Sequence, residues 1–215
     1  MFRSVIGFIL LLLTLTVQAQ IDPAHLPELL AQKGGYATLT GRFETSDTTL
    51  SIEDFQLIYY GYQTTAVYYS KDIEFNENLL KPLSRSGQYK QVIDLADSIL
   101  RLNPVSIAAH FEKAYACAQL GFNEGESFHR KRYIVLCNVI KLSGNGSIAQ
   151  PYACNSTNDA VEFILFKGFT AIDDRKTSSG VIEFDLAKNK QKVLHLYISI
   201  PAQAYTPPDS TSDSE

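Results

Sequence analysis

The chain has 215 residues, 45% hydrophobic and 20% charged, with a formal net charge of −4. This composition excludes a wholly disordered chain and a low-complexity fibre, and it allows one domain, or two small ones sharing a core, with no metal or disulfide staple. No basic excess is present to neutralise phosphates, which excludes a dedicated nucleic-acid partner.

Arg3 followed by an apolar run from Val5 to Val17, and then Val17-Gln18-Ala19, has the pattern of a secretory signal peptide over residues 1–19. The run is about 13 residues, short of the ~20 that span a bilayer. The mature chain is therefore expected to begin at Gln20. It should be periplasmic or secreted and not an integral membrane protein.

Helices are expected first and strands last. Asp22 and Pro23 open a helix over 22–32, and Gly34-Gly35 stop it. Residues 36–49 read as extended or irregular. Ser51-Ile52-Glu53-Asp54 has capping-box spacing and starts a helix to about Gly61, apolar nearly all round and hence buried. Residues 62–73 read as a loop with aromatic anchors, Tyr62, Tyr68 and Tyr69 among them.

Tyr89, Val92, Ile93, Ala96, Ile99 and Leu100 then follow helical spacing, closed by Pro104. Two more helices are expected over about 106–120 and 124–142. After Ser143-Gly144-Asn145-Gly146 a short helix is expected at 159–167, capped by Thr157-Asn158-Asp159. Period-2 strands follow around Ile182-Phe184-Leu186 and Leu194-Leu196-Ile198-Ile200, joined by Lys188-Asn189-Lys190. Tyr152 to Cys154 and Ala171 to Asp174 can add short strands. Residues 201–215 read as a disordered acidic tail.

The fold class expected is α+β. A helical region, 20–142, packs with a small antiparallel sheet and one short helix, 143–200, in a shared core.

Gly87, Tyr89, Val92, Ala96, Ile99 and Pro104, then Ala114 and Leu120-Gly121, resemble about one and a half tetratricopeptide (TPR) repeats across 75–125. The resemblance implies a groove presenting Glu77, Lys81 and Ser84, then Phe111, Glu112, Tyr115 and Gln119. A peptide or protein partner would lie there, unless the sheet or the N-terminal segment fills it. The partner-binding residues implied are Phe111, Glu112, Tyr115 and Gln119.

Over about 30–200 the chain also resembles a family of secreted bacterial proteins of unknown function, DUF4919. The features are Leu50-Ser51-Ile52-Glu53-Asp54-Phe55 running into Leu57-Ile58-Tyr59-Tyr60-Gly61, the TPR-like helices, Ser143-Gly144-Asn145-Gly146, and Asp159-Ala160-Val161-Glu162-Phe163 before strands ending at Tyr197-Ile198-Ser199-Ile200. Asn145 stands where the resemblance implies an Asp. The family name implies no activity.

Catalytic patterns are absent from the sequence. His25, His110, His129 and His195 are far apart, with no H-E-x-x-H, G-x-S-x-G or P-loop. Asp173-Asp174 read as turn residues. Arg130-Lys131-Arg132 read as a solvated face, or as a contact for an acidic partner. Gly144-Asn145-Gly146 reads as a helix-ending turn, or as an anion-binding nest.

Cys117, Cys137 and Cys154 lack metal spacing. They read as buried small hydrophobes, as one disulfide plus one thiol, or as including a reactive thiol. No cofactor, metal or catalytic residue is assigned. The expected function is a non-enzymatic protein- or peptide-interaction module. The alternative is an envelope hydrolase or small-ligand-binding protein whose site has no sequence signature.

Overall fold

The computed structural model describes residues 23–68 and 70–204. The expected signal peptide over residues 1–19, residues 20–22, Tyr69 and the expected acidic tail beyond residue 204 lie outside the described residues. Among the described residues eight α-helices and four strands follow in the expected order, helices first. The first three helices are α1 (Leu26–Gln32), α2 (Tyr36–Glu44) and α3 (Ile52–Gly61). The helical middle is α4 (Lys71–Arg85), α5 (Tyr89–Leu102), α6 (Ile107–Gln119) and α7 (Asn123–Leu142). After β1 (Tyr152–Ala153) come α8 (Thr157–Phe166), β2 (Ala171–Lys176), β3 (Ile182–Leu186) and β4 (His195–Ser199).

The segment expected to be irregular, 36–49, instead begins with α2. Its Leu39, Thr40 and Phe43 are buried along one side. Thr40 and Thr45 donate their hydroxyls to the carbonyls of Tyr36 and Gly41, at 3.0 and 2.9 Å. β-branched and glycine residues weaken a helix, but burial of Leu39 and Phe43 outweighs the few tenths of a kcal/mol each costs. The capping box of α3 forms as expected: Asp54 N–H donates to Ser51 Oγ at 3.2 Å, and Ser51 N–H to Asp54 Oδ2 at 3.0 Å. α3 is buried from Leu57 to Gly61. A Cβ on Gly61 would lie 2.8 Å from the Tyr36 ring, so the tight α2–α3 contact needs glycine there.

α8 is capped by Ser156, whose Oγ accepts from Asp159 N–H at 3.1 Å, one residue before the expected capping run.

Two apolar clusters hold the molecule. The larger joins α1, α2, α3, α7, α8 and the inner face of the sheet, with Ile58, Tyr59, Leu136, Ile140, Phe163, Phe184 and Ile198 among its members. The smaller joins α4, α5 and α6 through Leu80, Val92, Ala96, Ile99, Ala109 and Ala116. Val67 packs against both. α6 and α7 approach closely where Gly125 faces Cys117: a Cβ there would be 2.9 Å from the Cys117 sulfur.

The sheet order is β1-β4-β3-β2. β2-β3-β4 are antiparallel, and β1 adds a parallel pairing to β4 with Tyr152 opposite Ile198. On β3, Ile182, Phe184 and Leu186 point into the core while Glu183 and Asp185 point away. Leu194 is 66% exposed, so alternation on the last strand begins at Leu196. Asp173 and Asp174 are strand residues on β2, not turn residues, and Asp173 pairs with Asp185. Among the described residues no helix is long and apolar enough to cross a membrane.

Candidate functional site

The sequence placed Phe111, Glu112, Tyr115 and Gln119 on one face of α6. The helix separates them. Phe111 and Tyr115 are 38% and 44% exposed, and Gln119 is exposed beyond them. Glu112 is buried and accepts a hydrogen bond from Ser84 of α4. One residue further on is a turn of about 100° round the axis, which carries Glu112 from the open side to the covered one.

Glu77 and Ser84, expected to face the same groove, are buried too. The covering element is α8. Asn158 donates to Glu77 Oε2 at 3.0 Å, and α8 packs on both α4 and α6. The groove is therefore closed by a helix of the C-terminal region, not by the sheet or the N-terminal segment.

What remains open is a line of aromatic rings drawn from four helices. Tyr89 meets Tyr115 at 6.0 Å between centroids, Phe111 meets Tyr133 at 5.0 Å, and Tyr133 meets Phe166 at 5.7 Å. Phe111 and Tyr115 are one helical turn apart. Beside them an apolar hollow of about 330 Å³ opens between α6 and α7, with Ala114, Ala118 and Ile134 in its walls. Glu126 and Arg130 pair across its edge at 2.6 Å.

Beneath α8 lies a polar web that no motif announced. Four carboxyl groups from three helices meet there: Glu77, Glu112, Asp159 and Glu162, all buried. Tyr59 donates to Asp159 Oδ2 at 2.7 Å, and Ser106 donates to Glu77 Oε1 at 2.5 Å. The Tyr59 hydroxyl oxygen also accepts from Asn155 N–H at 3.0 Å. Burial, with the nearby Glu77 charge, pushes the Asp159 carboxyl up to about 8. Burial likewise raises Glu77, and it raises Glu162 to about 7 against the pull of Lys81. Glu162 Oε2 is buried with no hydrogen-bond partner.

The sequence features behind the family resemblance converge on this region. Tyr59 reaches Asp159, Tyr60 O–H donates to Ala153 O at 3.3 Å, and Ser143 Oγ accepts from Ala153 N–H at 2.7 Å. Tyr59 and Tyr60 are thus core residues with anchored hydroxyls, and Tyr62 and Tyr68 donate to Val67 O and Asn155 O.

The remaining sequence candidates resolve into structural roles. His110 and His129, 19 residues apart in sequence, meet at 2.9 Å between their Nδ1 atoms. The Pro104 carbonyl takes the His110 Nε2–H, so His110 Nδ1 accepts the proton of His129 Nδ1. Burial lowers them to about 3 and about 4, which keeps both neutral.

Arg132 is not a solvated charge. It lies 3.3 Å over the Phe128 ring and donates to the carbonyls of Phe43 and Glu44, tying α7 to the end of α2. A groove of about 650 Å³ opens beside it, lined by Phe43, Leu50, Phe55 and Phe128, but the guanidinium in its wall is spent on those carbonyls. The N–H groups of Asn145 and Gly146 both go to Gln150 O, at 2.9 and 3.1 Å, so they are not available to an anion.

Glu183, Asp185 and His195 turn ligand-type atoms toward one another on the outer sheet face. A cation already sits there: Arg175 bonds Glu183 at 2.8 Å and Asp185 at 2.7 Å and holds Asp185 below the usual carboxylate range. The three cysteines are buried and unpaired, and burial raises each thiol, which makes them packing residues.

No curated protein and no solved structure matches the chain. The model of a family described as a domain of unknown function, DUF4919, matches residues 31–205. That span takes in α2 to β4, and with it the buried web and the aromatic line, so the chain belongs to the DUF4919 family.

Proposed function

We propose that this is a periplasmic or secreted interaction protein that holds a peptide or protein partner on its aromatic line. The observation that carries the reading is the run Tyr89–Tyr115–Phe111–Tyr133–Phe166, with the apolar hollow beside it. Large aromatic rings left half-exposed in a row are the composition of a recognition surface, because they bring much contact area at little conformational cost. The signal-like N-terminus supports export.

A TPR-like origin of α4–α7 is part of the proposal. Gly87 and Gly121 both sit at φ +75° in the turns between paired helices, at the 34-residue period of that repeat. In this reading α8 has taken the place a peptide would occupy on α4 and α6, and binding has moved to the α6–α7 side. The partner-binding set then becomes Phe111, Tyr115 and Gln119, joined by Tyr133, with Glu112 serving the fold.

The test is affinity capture from the native envelope and medium with the mature chain and its Phe111→Ala/Tyr115→Ala variant. A near-stoichiometric partner recovered by the first and lost by the second, with both equally folded, is the expected outcome. Equal recovery by both would remove the aromatic line from the function.

A further inference from the structure

The groove of about 650 Å³ runs between the α2–α3 connection and α7. Its apolar walls are Phe43, Leu50, Phe55, Phe128 and Val135. Phe43 is buried, Leu50, Phe55 and Val135 are half-buried, and Phe128 is 38% exposed.

One lip of the groove is held in place by its own bonds. The Asp47 carboxylate accepts from Arg42 Nε at 2.7 Å, from Thr49 N–H at 2.8 Å and from the Thr49 hydroxyl at 2.7 Å. Arg132 donates to Ser46 Oγ at 3.1 Å, where the Ser46 backbone stands at φ +60°. The N–H groups of Ser46, Asp47 and Leu50 go to the carbonyls of Phe43, Arg42 and Asp47. An extended peptide laid here would bury its own N–H and C=O groups against a lip whose amides are taken, and that is costly. A hydrocarbon chain makes no such demand.

The charges in the walls point the same way. Asp47 is held by Arg42, and Arg132 by backbone carbonyls. Glu124 stands in the first turn of α7, where the helix dipole favours its charge. Lys131 is seven residues further on, about 10 Å along the axis. It is exposed, and among the described residues it has no ion pair within 4 Å. The unspent cation of the groove is therefore at its edge, beside an apolar interior.

We infer that this groove is a binding site for a single-chain amphiphile with an anionic end, of the fatty-acid class. The chain lies against the five apolar residues, and the carboxylate accepts from the Lys131 ammonium at the mouth. The volume falls inside the range of small-molecule sites. The inference is independent of the aromatic line, which lies on the α6–α7 side.

Calorimetric titration of the mature chain with saturated carboxylates from butanoate to dodecanoate, below their micellar concentrations, tests it. Decanol is the uncharged control. Affinity should rise about fourfold for each added CH₂ until the groove is full. Lys131→Met should weaken decanoate about fivefold and leave decanol unchanged. Ser127→Phe fills the groove from a half-buried position on α7 and should abolish binding of both. Thermal melting of each variant separates lost binding from lost structure. No saturable binding of any carboxylate would overturn the inference, as would affinity that does not change with chain length. Decanoate binding unchanged in Ser127→Phe, or no tighter than decanol, would overturn it too. A dimer in solution that Ser127→Phe dissociates would give the groove to a second copy of the chain instead.

Discussion

Replacing Asp159 with Asn should remove a loss of stability that the parent suffers as pH rises through neutrality. In the fold this carboxyl is 4% exposed, takes the Tyr59 hydroxyl proton at 2.7 Å, and has its pKa raised from 3.8 to about 8 by burial and by Glu77. The native state therefore keeps a proton that the unfolded chain releases above pH 3.8. Its favourable contribution is complete below that pH and is lost as pH rises toward 8. One pH unit corresponds to about 1.4 kcal/mol, so the gross loss between pH 4 and 7 is about 4 kcal/mol, an upper bound that relaxation and water entry reduce. Asn carries no charge but presents N–H where the carboxyl presents oxygen, which costs about 1 kcal/mol of hydrogen bonding.

With that gross effect halved, the variant should be about as stable as the parent at pH 5 and about 2 kcal/mol more stable at pH 9. Urea unfolding of both chains across pH 5 to 9 reads this directly. Curves that stay parallel over the whole range would refute the buried, proton-holding carboxyl.

Arg132→Met should lower stability by about 3 kcal/mol in urea unfolding, because it frees the buried carbonyls of Phe43 and Glu44 and abandons the ring stack on Phe128. Gly144→Ala should cost more than about 2 kcal/mol, since the new methyl group would lie 2.2 Å from the Pro151 carbonyl oxygen and only backbone can move to relieve it. Phe111→Ala and Tyr115→Ala should each cost only about 1 kcal/mol, being half-exposed, so any loss of partner binding is separable from unfolding. An aromatic-disulfide thiol reagent should leave the folded protein unmodified and titrate Cys117, Cys137 and Cys154 in denaturant.

The period of apolar residues made α5, β3 and the buried face of β4 legible, because their burial follows from spacing alone. Ser51 and Asp54 announced the start of α3 through chemistry that is entirely local. α2 was illegible for the opposite reason: its glycine and β-branched residues argue against a helix, and only the packing of Leu39 and Phe43 on distant elements decides it.

The candidate site was legible only in part. Phe111 and Tyr115 follow a surface stripe that helical spacing can find, but the fate of Glu112 depends on where α8 lies, and nothing in α6 reports that. The contacts of Glu77 with Asn158, of Tyr59 with Asp159, and of His110 with His129 are long-range pairings between elements. The one available hint was the presence of acidic residues at the core-facing spacing of otherwise apolar helices: Glu162 sits between Val161 and Phe163, and Glu112 lies in an alanine-rich face. Arg132 could have been separated from Arg130 and Lys131 in the same way, since it shares the heptad side of Leu136 and Val139, which are buried.

α8 closes one face of the helical region, and the proposed binding surface is the aromatic line left open beside it. Site-specific photocrosslinking tests that most directly. A photoreactive phenylalanine would replace Phe111 on the line in one chain and Ile172 on the sheet, 67% exposed, in another. A discrete crosslinked product from position 111, absent from position 172 and lost on adding Tyr115→Ala, is what the account predicts. The same product from both positions, or from position 111 regardless of Tyr115, would contradict it.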